Sequence, residues 1–187
     1  MKDFDEEIFE YLTEDKDRFR YAHEIHQLFP QIEERLIDGF WNLVKQKLTE
    51  ETRDSEWVVI SDDDYTERYS KLGIYLFSKD LRVIYEALHG QPYYGIWIDA
   101  KSSNLDRKRV YEYVGNELNI PKDMKGPDHG YWLAQGDVQD DFRSLQTLRR
   151  MLPKKGHKMA EEYASELYAL AKKWKDNIEV ILKERIS

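Results

Sequence analysis

The sequence predicts an α+β fold: N-terminal helices, an antiparallel meander of about four to five strands, and a long C-terminal helix packed on the sheet. Three observations carry that prediction. Apolar residues recur at helical spacing over roughly the first fifty residues and again over the last thirty. Between them, short runs rich in β-branched and aromatic side chains alternate with turn residues. The 5 Trp, 13 Tyr and 7 Phe supply core material that disordered chains lack. At 187 residues the chain suits a single α+β domain over 1–187, with a helical region over 1–52, a sheet over 56–134 holding one inserted helix, and a second helical region over 141–187.

The elements follow in order. Asp3 suits the N-cap of a short helix from Phe4 to Leu12. The charged stretch Thr13 to Arg20 reads as a connection. From about Arg20 to Thr52 a long helix is expected, with Ile25, Leu28, Ile32, Leu36, Phe40, Leu43 and Leu48 on one buried face. Pro30 lacks a backbone donor and clashes with the preceding turn, so a kink or two consecutive helices are expected there. Strands are expected at Trp57–Ile60, Leu72–Phe77, Arg82–Leu88, Tyr93–Asp99 and Tyr131–Ala134. Asn104 is a candidate N-cap for the inserted helix, Leu105–Leu118. Residues 119–130, with two prolines and two glycines, read as a loop. A helix from about Asp141 to Met151 stops before Pro153. The last helix, His157 to Arg185, has the stripe Met159, Tyr163, Leu167, Leu170, Trp174, Ile178 and Ile181.

Composition excludes several function classes. No cysteine is present, which removes disulfide scaffolds, thiolate metal sites and cysteine nucleophiles. No apolar run approaches the ~20 residues that a bilayer span needs, so no membrane association is expected. The acidic start MKDFDEEIFEYL has no signal-peptide pattern, which points to a cytoplasmic protein. Neither GxGxxG, GxxxxGK[ST] nor GxSxG occurs, so the familiar phosphate cradles and the hydrolase nucleophile elbow are missing. The net charge of −8 is uneven: residues 1–64 carry 8 basic and 19 acidic side chains, residues 142–187 carry 11 and 6. A uniformly basic nucleic-acid binder is therefore not expected.

Five residue sets carry chemistry. His23 and His26, three apart on a helix, suit a metal in spacing, but no third ligand is identifiable and a solvated helix face is the plainer reading. Asp62-Asp63-Asp64 offers oxygen ligands without the alternation and glycine of a calcium loop. If 82–88 pairs with 93–99 through the turn 89–92, Leu88 faces Tyr93 and Asp80 comes opposite Lys101, with Asp99 on the same face as Lys101. Two carboxylates and a lysine are what a Mg²⁺-dependent nuclease uses: the carboxylates hold the metal, which activates water, and the lysine orients the nucleophile. Salt bridging at the hairpin end, Arg82 with Asp99 for instance, is the plainer reading. Tyr93, Tyr94, Trp97, Tyr131 and Trp132 form a fourth set, suited to stacking bases or anchoring a protein partner, or to core packing. Arg149, Arg150, Lys154 and Lys155 form the one basic cluster, suited to phosphate contacts or to a solvated corner.

The stretch Asp17-Arg18-Phe19-Arg20-Tyr21-Ala22-His23-Glu24-Ile25, followed by Phe40-Trp41-Asn42-Leu43 and Leu48, resembles a helical segment in certain bacterial proteins of the PD-(D/E)XK nuclease superfamily. Ile84-Tyr85-Glu86-Ala87-Leu88, Tyr94-Gly95-Ile96, Gly130-Tyr131-Trp132 and the closing amphipathic helix extend the likeness over most of the chain. The resemblance is to the C-terminal accessory region of those proteins, and it implies that the nuclease core, which lies upstream there, is missing here. Asp80, Asp99 and Lys101 resemble spaced acidic and (D/E)xK elements, but Lys79 stands where a proline is expected and the three do not match the family's catalytic motif. No catalytic residue is carried over.

The expectation is a non-catalytic binding or regulatory protein without a cofactor, acting through an acidic, aromatic-rich surface on a protein partner. Such a surface also suits a charge mimic in a partner's nucleic-acid groove. The alternatives are a Mg²⁺-dependent nuclease and direct nucleic-acid binding through the basic cluster. The oligomeric state is left open by long amphipathic helices, which pack within one chain or between two.

Overall fold

A computed structural model describes residues 3–76, 81–98 and 132–183. The class is α+β, with N-terminal helices, a five-stranded antiparallel sheet and a C-terminal helix packed on it. The chain divides into two compact units, Met1–Arg35 and Leu36–Ser187.

The first unit holds α1 (Phe4–Thr13) and the start of α2 (Lys16–Thr52). Asp3 stands at the N-cap of α1, but its side chain makes no cap bond; its carbonyl accepts the amides of Glu6 and Glu7 at 3.1 Å. The connection expected over Thr13–Arg20 shrinks to Glu14 and Asp15. Asp15 caps α2: its Oδ1 accepts the amides of Asp17 at 2.6 Å and Arg18 at 3.3 Å. Those bonds hold its carboxyl below the usual carboxylate range. α2 then runs through Pro30 as one 37-residue helix, not as two.

In the second unit, α2 buries Ile37, Phe40, Trp41, Val44, Leu48 and Thr52. The expected stripe is corrected here: Leu36 and Leu43 are half-buried, and the inward face is turned one position on, to Trp41. The reason is the indole. It stacks on Phe142 at 5.2 Å and 10°, touches Tyr85 and Tyr163, and donates Nε1–H to the Leu88 carbonyl at 2.9 Å.

The strands are β1 (Val59–Ser61), β2 (Lys71–Tyr75), β3 (Leu81–Glu86), β4 (Tyr93–Ile98) and β5 (Trp132–Asp137), paired in sequence order. Period-two alternation sends Leu72, Ile74, Leu81, Val83, Tyr85 and Ile96 into the core under the helices. Gly73 is on the other face, where a Cβ would lie 2.2 Å from the Val83 carbonyl oxygen, so no side chain fits. The β3–β4 register differs from the expected one by two residues: Tyr93 pairs with Glu86, not Leu88. Ala87 takes a left-handed φ of 60° and ends the strand early, which frees Leu88 to turn into the core.

Ser144 caps α3 (Leu145–Met151), its Oγ accepting the Thr147 amide at 3.2 Å. This helix starts later than expected because Asp141 to Ser144 form a turn. In α4 (Gly156–Lys183), Met159, Tyr163, Leu167 and Trp174 are buried and Leu170 is half-buried, with Ala160, Ala164 and Ala171 also buried along the contact face. The side chains of Ile178 and Ile181, the 105–118 helix with Asn104, and Asp80, Asp99, Lys101 and Tyr131 lie outside the described residues. Among the described residues no helix is long and apolar enough to cross a membrane.

Candidate functional site

The aromatic strand does not form one exposed surface. Tyr93 and Tyr94 are neighbours in sequence and therefore on opposite faces of β4. Tyr94 packs against the core, its ring 6.4 Å from that of Tyr85. Trp97 lies under the Arg82 guanidinium, 4.2 Å from the ring centroid, and Arg82 also reaches Tyr75 at 5.2 Å. Trp132 is buried and meets Tyr93 edge-on at 5.3 Å. Burial, and after it the Glu86 carboxylate, raises the Tyr93 hydroxyl well above its usual value. Glu86 is itself buried and pairs with Lys71 at 3.2 Å.

The basic cluster is divided as well. Arg150 is tied to Asp140 and reaches Glu162 at 4.0 Å, while the Tyr163 hydroxyl donates to Asp140 Oδ2 at 2.8 Å. Arg149, Lys154 and Lys155 remain exposed. Arg149 sits in the last turn of α3, where a cation suits the helix dipole.

The smaller candidate sets act as local structure. His23 Nε2 meets the Gln27 amide nitrogen at 2.9 Å. Asp62 Oδ2 accepts the Lys71 amide at 2.8 Å, and Asp64 Oδ1 accepts from the amide and hydroxyl of Thr66 at 2.8 and 2.6 Å. Both aspartates thus close turns. Among the described residues no group of three potential metal ligands converges.

The first unit presents a different picture. No residue from 3 to 35 is buried. Ten of its large hydrophobic side chains are exposed, among them Phe4 at 70%, Phe9 at 66% and Phe19 and Ile25 at 60%. On α2, Tyr21, Ile25, Leu28 and Ile32 recur at steps of four, three and four, which aligns them on one helical face. On α1, Phe4, Ile8 and Tyr11 do the same. The stripe expected to bury Ile25, Leu28 and Ile32 is therefore corrected: these residues face outward. Residues 3–15 carry seven acidic side chains and no basic one. Two nearby arginines are held within the unit: Arg18 by Glu14 at 3.0 Å and over the Tyr11 ring, Arg20 by Asp17 at 3.0 Å and Glu24 at 3.7 Å.

Sequence reasoning passed over Phe4, Phe9, Phe19 and Tyr21. The signal that marks them is the joint one: apolar spacing on two successive helices, in the stretch with the densest acidic charge, with too few apolar residues on the short helix to cover the long one. Comparison with family models, with curated proteins and with solved structures returns no match.

Proposed function

We propose that the protein is a non-catalytic binding protein whose first unit docks a protein partner carrying a basic, apolar helical surface. The carrying observation is the first unit itself: ten exposed large hydrophobics and no buried residue between 3 and 35. A contiguous exposed apolar face is the usual mark of an interaction site. Charge selects the occupant. Two copies meeting on residues 3–15 would set seven carboxylates against seven, whereas a lysine- or arginine-rich amphipathic helix complements them. The resemblance to an accessory region without a catalytic set favours the same role.

A lysine–leucine amphipathic peptide, titrated into the full chain and followed by fluorescence anisotropy, tests the reading. Saturable binding is expected, weakening as the salt concentration is raised about tenfold, because the surface attraction is screened. Ile25→Asp with Leu28→Asp is expected to abolish it. A glutamate–leucine peptide binding as well as the basic one, or a variant binding as tightly as the wild type, overturns the proposal.

A further inference from the structure

In an antiparallel meander, alternate connections return to the same end of the sheet. The segment before β2, the β3–β4 turn and the segment after β5 therefore meet at one end, within the second unit. There they enclose a cleft of about 630 Å³ whose walls include Arg68, His89, Tyr69, Tyr93 and Arg143. Three features set this cleft apart. The Arg68 and Arg143 guanidiniums make no ion pair among the described residues. His89 Nε2 is buried without a hydrogen-bond partner. Ala87, in the cleft wall, holds a left-handed φ of 60° that an alanine adopts only at a cost.

The side chains are well placed to hold an anion. The Arg143 guanidinium lies against Gly90 of the β3–β4 turn: a Cβ there would sit 3.7 Å from its Nε. The Gly90 carbonyl accepts the Phe142 amide at 2.8 Å, which pins the turn to the segment that carries Arg143. Asp141, the one carboxylate in the wall, caps its own turn by accepting the Arg143 amide at 2.9 Å. Arg68 lies over the Tyr69 ring at 5.0 Å, and that ring is exposed. Two guanidiniums supply two positive charges in planar forks that match an oxyanion. A phosphate monoester brings about two negative charges at neutral pH and a carboxylate only one, so the charge count favours the phosphate.

We propose that this cleft binds a small phosphate monoester, its oxyanion held between Arg68 and Arg143 and its organic group against Tyr69 and Tyr93. The site is independent of the first unit, so its success or failure leaves the docking reading untouched.

Calorimetric titration of the full chain with phenyl phosphate, inorganic phosphate and benzoate tests it. Phenyl phosphate is expected to bind, more tightly than inorganic phosphate, and benzoate weakly or not at all. Arg68→Gln and Arg143→Gln are each expected to weaken phenyl phosphate about tenfold or more, since each removes a charge-assisted contact. Both side chains lie outside the core, and thermal melts of the two variants establish that they fold. Arg143→Lys, which keeps the charge but not the fork, is expected to fall between wild type and Arg143→Gln. Absence of heat with phenyl phosphate at millimolar concentration, affinity unchanged in both glutamine variants, or benzoate binding as well as phenyl phosphate each overturns the proposal.

Discussion

At the centre of the second unit, one indole links helix, sheet and loop. Trp41 donates to the Leu88 carbonyl at 2.9 Å and stacks on Phe142, while Tyr85 Oη donates to the Tyr163 carbonyl at 3.2 Å. Trp41→Phe keeps an aromatic ring but leaves the Leu88 carbonyl without its donor and opens space beside it. A loss of about 2–4 kcal/mol is expected in a denaturant titration, combining the unpaired carbonyl with the lost volume. Tyr85 and Tyr163 carry a pH signature. Burial raises both hydroxyls far above their ordinary value of 10.0, with Glu166 adding to the effect at Tyr85 and Asp140 at Tyr163. Raised acids keep their protons in the folded state, so this stability is complete below pH 10 and is lost as the pH climbs above it, where the unfolded chain gives up those protons. Tyr163→Phe is expected to flatten the alkaline fall in stability by about 1.4 kcal/mol per pH unit, one proton's worth. An unchanged slope would contradict this account of Tyr163. The sequence marked Tyr163 as a core position through helical spacing. It could not mark its bond to Asp140, since no local pattern links positions 23 apart.

At the scale of elements, helices and strands were legible because each has its own period. The five strands were found within a few residues, and among the described residues of the predicted α4 stripe Met159, Tyr163, Leu167 and Trp174 turn inward. What failed was rotation and register. Ile25, Leu28 and Ile32 continue the α2 pattern, but a pattern records only which residues share a face, not whether anything covers it. The β3–β4 register slipped by two because Ala87 gave no warning of its left-handed backbone; glycine or asparagine would have. Tyr93 and Tyr94 were read as one site although strand geometry puts them on opposite faces. The basic cluster was legible as a run of charge, but its division by Asp140 and Glu162 comes from the tertiary fold. Pro30 offers a test at this scale. It lies inside α2, where it removes one backbone bond and crowds the preceding turn. Pro30→Ala is expected to favour the helix locally by up to about 3 kcal/mol, read as slower amide hydrogen exchange around residues 24–34 and stronger helical circular dichroism. Faster exchange there would mean that proline is required by the helix as built.

Across the whole molecule, burial and charge are distributed unequally. The second unit holds every buried residue among those described, whereas the first has none and carries eleven acidic against five basic side chains. On the docking proposal, a helical unit with that exposure gains stability when a partner covers it, because most helical stability in water comes from packing an apolar face. This is the physical content of the docking proposal, and it places the interaction on residues 3–35 and not on the β4 aromatics or the basic cluster. Amide hydrogen exchange of the full chain, with and without the lysine–leucine peptide and at two protein concentrations, tests that claim most directly. The account predicts added protection over residues 3–35 when the peptide is present, and none from raising the protein concentration alone. Protection centred on residues 93–97 or 149–155, or protection of 3–35 that appears with protein concentration and no peptide, would contradict it.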